Sequence, residues 1–227
     1  ARRVLVIAAD ATTGDRMLAW HGAGFQALGA AATDDRVEDA ATPFDRRRHG
    51  LLLGMGAVAL IVETAEACAQ RGVMPLAEVL ATRCANSGGH ALRLDAGHVA
   101  EVVDGLVADA ERLHGLGRRE LAGRCMFMSH ETYTPARGGS ASAEISALRR
   151  AFGEDARRVL VANTKGYTGH TMGAGLEDAV ALIALVRGEA PPIPNLLEPD
   201  PELGDLNLSR GGPHECEYAL RLAAGFG

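Results

Sequence analysis

Apolar side chains along this chain follow two spacings: short unbroken runs, and longer stretches with helical periodicity. Residues 4–9 are all apolar, which is typical of a strand buried on both faces. Residues 97–113 carry apolar side chains three and four positions apart and predict an amphipathic helix. Alternating strands and helices indicate an α/β fold, with a mixed sheet covered by helices on both sides. The further predicted elements are strands at 76–84, 125–128, 159–162 and 217–224, and helices at 15–28, 64–71, 140–152 and 172–187.

Two glycines interrupt the apolar run at residues 51–62. Gly54 and Gly56 flank Met55, so two positions of a predicted strand lack a Cβ. This pattern leaves two interpretations open: a bulge or tight backbone passage beside a site, or a simple bend in a buried strand. The polar connection before it, residues 29–50, is long for a compact domain and is therefore a candidate functional loop.

Composition and charge argue against nucleic-acid and membrane partners. The 227 residues include 23 basic and 29 acidic side chains, and the formal net charge of −6 provides no general attraction to nucleic acid or anionic lipid. We interpret the arginine cluster at residues 46–48, beside Asp45, as a solvated or salt-bridged turn rather than a nucleic-acid patch. No run approaches the ~20 apolar residues of a membrane span, and no signal-peptide pattern is present, so we expect a cytoplasmic protein.

The four cysteines form no C-x-x-C pair, and the histidines show no paired spacing typical of metal ligands. We therefore expect neither a disulfide framework nor a metal site. Cys68 lies in a predicted helix, and Cys84 and Cys125 lie in predicted strands, where a small buried thiol is the usual interpretation. No cysteine or serine has a context that indicates a nucleophile.

Two short segments carry the best candidates for chemistry. His130 follows the predicted strand at 125–128, and His170 follows the one at 159–162 in a segment that also contains Lys165. Small and hydroxylated neighbours leave little bulk in front of each ring, so both imidazoles are placed to reach a ligand. We predict that the two histidines converge on one cavity, with the lysine ammonium behind them.

Five motifs follow one another along the chain: the Pro-Phe-Asp loop and glycine-interrupted strand at 43–57, His-Glu-Thr-Tyr-Thr-Pro at 130–135, Lys165 with Gly-His-Thr at 169–171, Ile-Pro-Asn-Leu at 193–196, and Gly-Phe-Gly at 225–227. Their order resembles the C-terminal half of a β-ketoacyl synthase, the condensing enzyme of fatty-acid and polyketide assembly. The resemblance implies a thiolase-like α/β fold with a mixed sheet flanked by helices. Residues 1–63 would form the end of the N-terminal lobe and residues 64–227 the C-terminal lobe, truncated at its closing glycine-rich loop.

The resemblance also implies an acyltransferase activity, the decarboxylative Claisen condensation of an acyl thioester with a malonyl-type extender on acyl carrier protein. In that reaction His130 and His170 would stabilise the enolate with neutral N–H donors, and Lys165 would set the electrostatics around them. The implied substrate contacts are Thr132, Thr134 and Phe226, the last of which either gates the cysteine pocket or packs at a strand end.

The family's partners follow from the same resemblance. Phosphopantetheine arrives on the acyl carrier protein, so no bound cofactor is expected. The family's nucleophilic cysteine precedes the strand that begins here at Val4, so we expect it on a missing N-terminal ketosynthase half. The chain would then be a fragment or one subunit of a split enzyme, and the intact domain a homodimer that binds neither nucleic acid nor membrane.

Three departures from the family pattern bear on activity. Glu131 and Tyr133 stand where the family has glycines, and Met55 stands where it has a glutamate. A Glu131 carboxylate that points into the pocket would raise the proton affinity of His130, whereas one that points away would change little. Two functions are therefore compatible with the sequence: a condensing ketosynthase, or a non-elongating ketosynthase-like domain that transfers acyl groups or is structural.

Overall fold

The structure, a computed structural model, describes residues 1–88, 94–134, 139–173 and 175–225. In these parts the chain forms strands and helices, and most of the predicted elements are present. Short 3-10 helices lie at Gly153–Arg158 and Pro201–Leu203. The strands are β1 Arg3–Asp10, β2 Gly56–Glu63, β3 Cys125–Met128, β4 Leu160–Ala162, β5 Glu189–Pro192, β6 Asn207–Leu208, β7 Arg210–Pro213 and β8 Tyr218–Arg221, and the helices are α1 Asp15–Ala27, α2 Val37–Ala40, α3 Ala65–Arg71, α4 Ala96–His114, α5 Arg118–Gly123, α6 Ser140–Phe152, α7 Lys165–Thr168 and α8 Leu176–Arg187.

A four-stranded parallel sheet in the order β6-β4-β3-β8 forms the centre of the described fold. Every residue of β3 is buried, because helices cover both faces of the sheet. Cys125 and Phe127 face the apolar cluster of α4 and α6, whereas Met126 and Met128 face the cluster that includes α8. The alternation of side chains along β3 thus connects the two halves of the core.

A second, separate sheet pairs β1 with β2 in antiparallel register, from Arg3 opposite Glu63 to Asp10 opposite Gly56. The predicted strand at 4–9 is confirmed, but the prediction that both its faces are buried is wrong for the described residues. Ile7 is 65% exposed, and Val6 on the opposite face of the strand is 46% exposed. The reason is that, among the described residues, this sheet consists of two strands, and α8 packs against β2. The division of the chain at residue 63 stays a prediction.

The predicted strand at 76–84 is wrong, because this segment has no regular secondary structure. Its polar groups bond to side chains of α4 rather than to a neighbouring strand. His114 Nε2 lies 2.9 Å from the Leu80 carbonyl oxygen, and Arg83 donates to Asp109 at 2.7 Å. Cys84 is therefore exposed and not the buried strand thiol that the sequence predicts.

Local capping explains where the predicted helices begin and end. The Thr64 hydroxyl accepts the Ala67 N–H at 3.3 Å and caps α3, as predicted. Gly188 adopts φ +65° and ends α8, whereas Gly175 with φ +62° delays its start from the predicted residue 172 to Leu176. Within the described ranges, none of the helices has the length and apolar character to cross a membrane.

Candidate active site

The structure brings His130 and His170 together. Their ring centroids lie 5.5 Å apart with an interplanar angle of 84°, so one ring presents its edge to the face of the other. His130 is 8% and His170 7% exposed, and the Nδ1 atom of each ring is buried without a hydrogen-bond partner in the described part of the chain. The prediction that the two loops meet is confirmed.

A buried glutamate on α6 fixes the backbone at His130. The Glu144 carboxylate accepts the His130 N–H at 2.7 Å and the Ser129 hydroxyl with its other oxygen. Ser129 N–H also donates to the Ala162 carbonyl at 2.9 Å, which ties the end of β3 to the end of β4. The backbone position of His130 is thus set by β3, β4 and α6.

His170 is held by the glycine-interrupted segment rather than by a strand end. Its N–H donates to the Leu52 carbonyl at 2.7 Å, and Gly54 N–H donates to the His170 carbonyl at 3.0 Å. A Cβ at Gly54 would lie 1.9 Å from the Thr168 carbonyl oxygen, so the backbones approach to a distance that only glycine permits. Of the two interpretations of Gly54, the tight passage beside a site is the one the structure supports.

The Lys165 charge acts on both imidazoles, and the side chain itself is held by an ion pair. Its ammonium pairs with one oxygen of the Glu177 carboxylate, and Arg221 Nη2 donates to the other oxygen at 3.2 Å. Although burial opposes ionisation, these two cations lower the pKa of Glu177. The side chains of Lys165 and Glu177 are 2% and 1% exposed, so the pair acts in a region of low dielectric.

Both imidazoles are held neutral. Burial is the largest cause, and the Lys165 charge the next, of a pKa of His130 well below its usual value. The same two causes lower the pKa of His170 to about 4. Near pH 7 each ring therefore carries one proton, which lets it donate one hydrogen bond without a positive charge.

Sequence reasoning missed three charged residues of this site, namely Glu144, Glu177 and Arg221. Burial raises the pKa of Glu144 to about 7, since its hydrogen bonds from Ser129 and His130 only partly offset the desolvation. A signal was available in α6, where Glu144 interrupts a run of small and apolar residues. No comparable signal marks Arg221, which lies on β8 far along the chain.

Glu131 and Tyr133 point away from the imidazole pair. The Glu131 carboxylate accepts the Tyr133 N–H at 2.7 Å and lies on the side of Arg48, and the Tyr133 ring packs with Phe25 and Leu51. Burial, with Glu144 nearby, raises the pKa of Glu131 to about 8. The geometry therefore gives no reason to expect that Glu131 raises the proton affinity of His130.

Comparisons with known proteins agree with this geometry. The family model "Beta-ketoacyl synthase, C-terminal domain" matches residues 126–197, which contain both histidines and Lys165. The chain resembles the C-terminal half of a β-ketoacyl synthase. The 3-oxoacyl-(acyl-carrier-protein) synthase 2 of Staphylococcus aureus is 29% identical in an alignment of 219 residues that covers 90% of this chain and 48% of that protein. The chain thus spans about half the length of the curated relatives it matches.

Solved ketosynthase structures show the same thiolase-like fold. A β-ketoacyl synthase from Burkholderia phymatum has a TM-score of 0.81 and 28% identity over 99% of this chain and 52% of that chain. A ketosynthase bound to the hexaketide, in complex with a type II polyketide synthase acyl carrier protein, has a TM-score of 0.84 and 23% identity over 100% of this chain and 54% of that chain. At the lower identity, the second likeness supports the fold alone.

Two of the three predicted substrate contacts, Thr132 and Thr134, are among the described residues. Thr132 is buried, its N–H donates to the Ser140 hydroxyl at 3.2 Å, and its own hydroxyl lies 3.4 Å from that of Thr134. Phe226 lies outside the described residues. Met55, at the ketosynthase glutamate position, is exposed. The roles of Thr132, Thr134 and Phe226 stay predictions.

The remaining candidate features have structural explanations. Of the two predicted forms of the arginine cluster, solvated or salt-bridged, the structure shows the salt-bridged turn: Arg46 pairs with Glu198 at 3.2 Å, Arg47 with Asp45 at 2.8 Å, and Arg48 with Asp200. Burial raises the pKa of Cys125 to about 12, which disfavours its thiolate. In the described ranges no group of three or more His, Cys, Asp or Glu side chains could hold a metal ion.

Proposed function

We propose that this chain supplies the decarboxylating half of a β-ketoacyl synthase site. In this proposal His130 and His170 donate their N–H groups to the thioester oxygen of a malonyl-type extender. As carbon dioxide leaves, negative charge develops on that oxygen, and two preoriented donors in a region that excludes water stabilise it. The observation that carries the proposal is the edge-to-face pair of neutral imidazoles at 5.5 Å, with the Lys165 charge behind them.

Lys165 acts on the rings and not on the substrate in this proposal. Its charge disfavours the imidazolium forms, so each ring remains a neutral donor during the reaction. Glu177 and Arg221 hold the ammonium in place within the core. Thr132, Thr134 and Phe226 would complete the substrate site, and the phosphopantetheine arm would arrive on acyl carrier protein, so that this chain itself binds no cofactor.

The nucleophilic cysteine would come from a ketosynthase half outside residues 1–227. The exposed sheet supports this part of the proposal, because β1 and β2 leave apolar side chains such as Ile7 and Ile61 in solvent. Apolar residues on both faces are typical of a strand inside a layered α/β core. The cysteine-bearing half would cover this sheet, and the completed domain would form a homodimer. The named relatives support acyl carrier protein as the partner that delivers the extender.

A non-elongating ketosynthase-like domain is the alternative. Glu131 and Tyr133, at two ketosynthase glycine positions, favour it from the sequence. In the structure both side chains point away from His130, so their positions give no reason for a loss of condensation. The presence of both histidines and Lys165 in one buried cluster favours the condensing enzyme.

Release of carbon dioxide from malonyl-acyl carrier protein tests the proposal. The complete ketosynthase that carries this chain is compared with its His130→Ala and His170→Ala variants, and with His214→Ala, whose ring bonds to the Ala184 carbonyl instead. We expect loss of release by at least 100-fold in the first two variants and no loss in the third. Equal release by the wild type and the His130→Ala variant would disprove decarboxylation at this site and leave the non-elongating domain.

A further inference from the structure

A single buried carboxylate joins two loops of the site. Glu131 is fully buried, and its Oε1 accepts the Tyr133 N–H at 2.7 Å. Arg48, which follows Phe44 and Asp45 in the Pro-Phe-Asp loop, places its Nε 3.9 Å from Glu131 Oε1 and partly offsets the rise that burial causes in the pKa of Glu131. The loop of His130 and the Pro-Phe-Asp loop therefore meet at one carboxyl group.

Tyr133, whose N–H donates to Glu131, and Phe44 of the Pro-Phe-Asp loop both adopt a left-handed conformation. Tyr133 has φ +48° and Phe44 has φ +60°. This region is unfavourable for aromatic residues, so such turns persist only where surrounding contacts hold them. The Glu131 carboxylate provides that contact from the inside, where water cannot replace it.

The Tyr133 side chain continues the connection to His170. Its phenol oxygen accepts the Leu52 N–H at 3.3 Å and lies 3.4 Å from the Lys165 carbonyl oxygen, to which it can donate. The Leu52 carbonyl in turn accepts the His170 N–H at 2.7 Å. The Tyr133 carbonyl also accepts the Gly50 N–H at 3.0 Å. Tyr133, in the loop of His130, thus contacts the Lys165 backbone directly and the His170 backbone through Leu52.

We propose that Glu131 and Tyr133 are positioning residues that set the distance and angle between the two imidazoles. We call their shared contacts the Glu131–Tyr133 link. Neither residue touches the space between the rings, and the link acts through the backbone of the His130 loop and of the Leu52 segment. Its effect on catalysis rests on the proposed function, whereas its effect on the imidazole geometry does not.

The test uses the complete ketosynthase and two readouts. The variants are Glu131→Ala, Glu131→Gln and Tyr133→Phe, with Glu38→Gln and Tyr218→Phe as controls away from the link. The first readout is kcat and KM for carbon dioxide release from malonyl-acyl carrier protein. The second is the ring resonances of His130 and His170 in the ¹⁵N-histidine-labelled protein, which report ring environment without any substrate.

We expect Glu131→Ala to lower kcat at least 10-fold, to change KM by less than twofold, and to shift the ring resonances of both histidines. Glu131→Gln should recover most of kcat, because its amide oxygen still accepts the Tyr133 N–H. Tyr133→Phe should lower kcat about threefold and shift chiefly His170. If Glu131→Ala does not fold, the histidine ring resonances of Tyr133→Phe test the proposal instead, because that variant removes a single oxygen atom.

Two results would overturn the inference. One is a Glu131→Ala protein that keeps kcat within twofold and the histidine resonances in place. The other is Glu131→Gln behaving as badly as Glu131→Ala while the resonances remain unchanged, which would indicate a role in folding alone. If the wild type releases no more carbon dioxide than His130→Ala, the proposed function fails, yet the resonances still decide whether the link sets the ring geometry.

Discussion

Lys165 and Glu177 form an ion pair in which both side chains are almost completely buried, and Arg221 reaches the second carboxylate oxygen. Lys165 is also the chain's only lysine, against 22 arginines. A compact ammonium on a flexible stem fits a narrow buried position better than a planar guanidinium does. The pair connects α7, which precedes His170, to the first turn of α8.

Replacement of Lys165 by Met should therefore cost stability and change His170. This substitution leaves the buried Glu177 carboxylate with Arg221 alone as its partner, and the free energy of unfolding should therefore fall by ~3 kcal/mol. Loss of the Lys165 charge should raise the pKa of His170 from about 4, yet burial should still hold it below 6.5. Urea unfolding and histidine NMR titration measure the two effects. Arg36→Met, on the surface, is the control, and an unchanged His170 pKa would contradict the role of the ammonium.

The neutral state of His170 predicts how stability depends on pH. In the unfolded chain this group has its usual pKa near 6.5, so between pH 6.5 and 4 the unfolded state binds a proton that the folded state does not. The free energy of unfolding should therefore fall as pH falls through this window, by up to ~3 kcal/mol from this residue.

Glu131 and Glu144 oppose this trend because their pKa values are raised, so the informative quantity is a difference. Urea midpoints of the wild type and of His170→Gln are compared from pH 4 to 7. The difference between the two urea midpoints should be smaller at pH 4 than at pH 7. A difference that is the same at every pH would show that His170 is not buried in its neutral form.

Gly54→Ala should disturb the site through the backbone. The added Cβ would lie 1.9 Å from the Thr168 carbonyl oxygen. The two hydrogen bonds of the His170 backbone, one to the Leu52 carbonyl and one from the Gly54 N–H, must therefore lengthen or break. We expect a loss of more than 2 kcal/mol in the free energy of unfolding and a shift of the His170 ring resonances. Gly24→Ala in α1 has open space around its Cβ and should instead stabilise the chain by ~0.5 kcal/mol. Equal stability of the two variants would rule out the tight passage.

His49 should titrate above its usual range. Its Nδ1 lies 2.8 Å from the Arg47 carbonyl oxygen and its Nε2 lies 2.6 Å from Asp34 Oδ2, so both ring nitrogens face acceptors and the imidazolium is favoured. These two contacts raise the pKa of His49. Its contribution to stability is complete below pH 6.5 and is lost as pH rises through the raised pKa. Asp34→Asn should lower that pKa in an NMR titration, and no change would contradict the contact.

Much of the central fold could be predicted from local pattern. The apolar run at 125–128 and the periodic residues of α4 and α6 gave the right elements, because burial against a common core imposes these spacings. The segment at 76–84 has the apolar content of a strand but no strand beside it, and its carbonyl and guanidinium groups bond to α4 instead. Strand formation depends on a partner, which local pattern does not reveal.

The sequence by itself determined the three residue types of the candidate site and the loops that carry them, since His130, His170 and Lys165 stand beside small residues after apolar runs. Only the tertiary structure decided that the rings meet at 5.5 Å, that Glu177 and Arg221 hold the lysine, and that Glu131 faces Arg48. The physical reason is that a local pattern indicates which segments are apolar, whereas burial, distance and charge between residues far apart in sequence arise from packing.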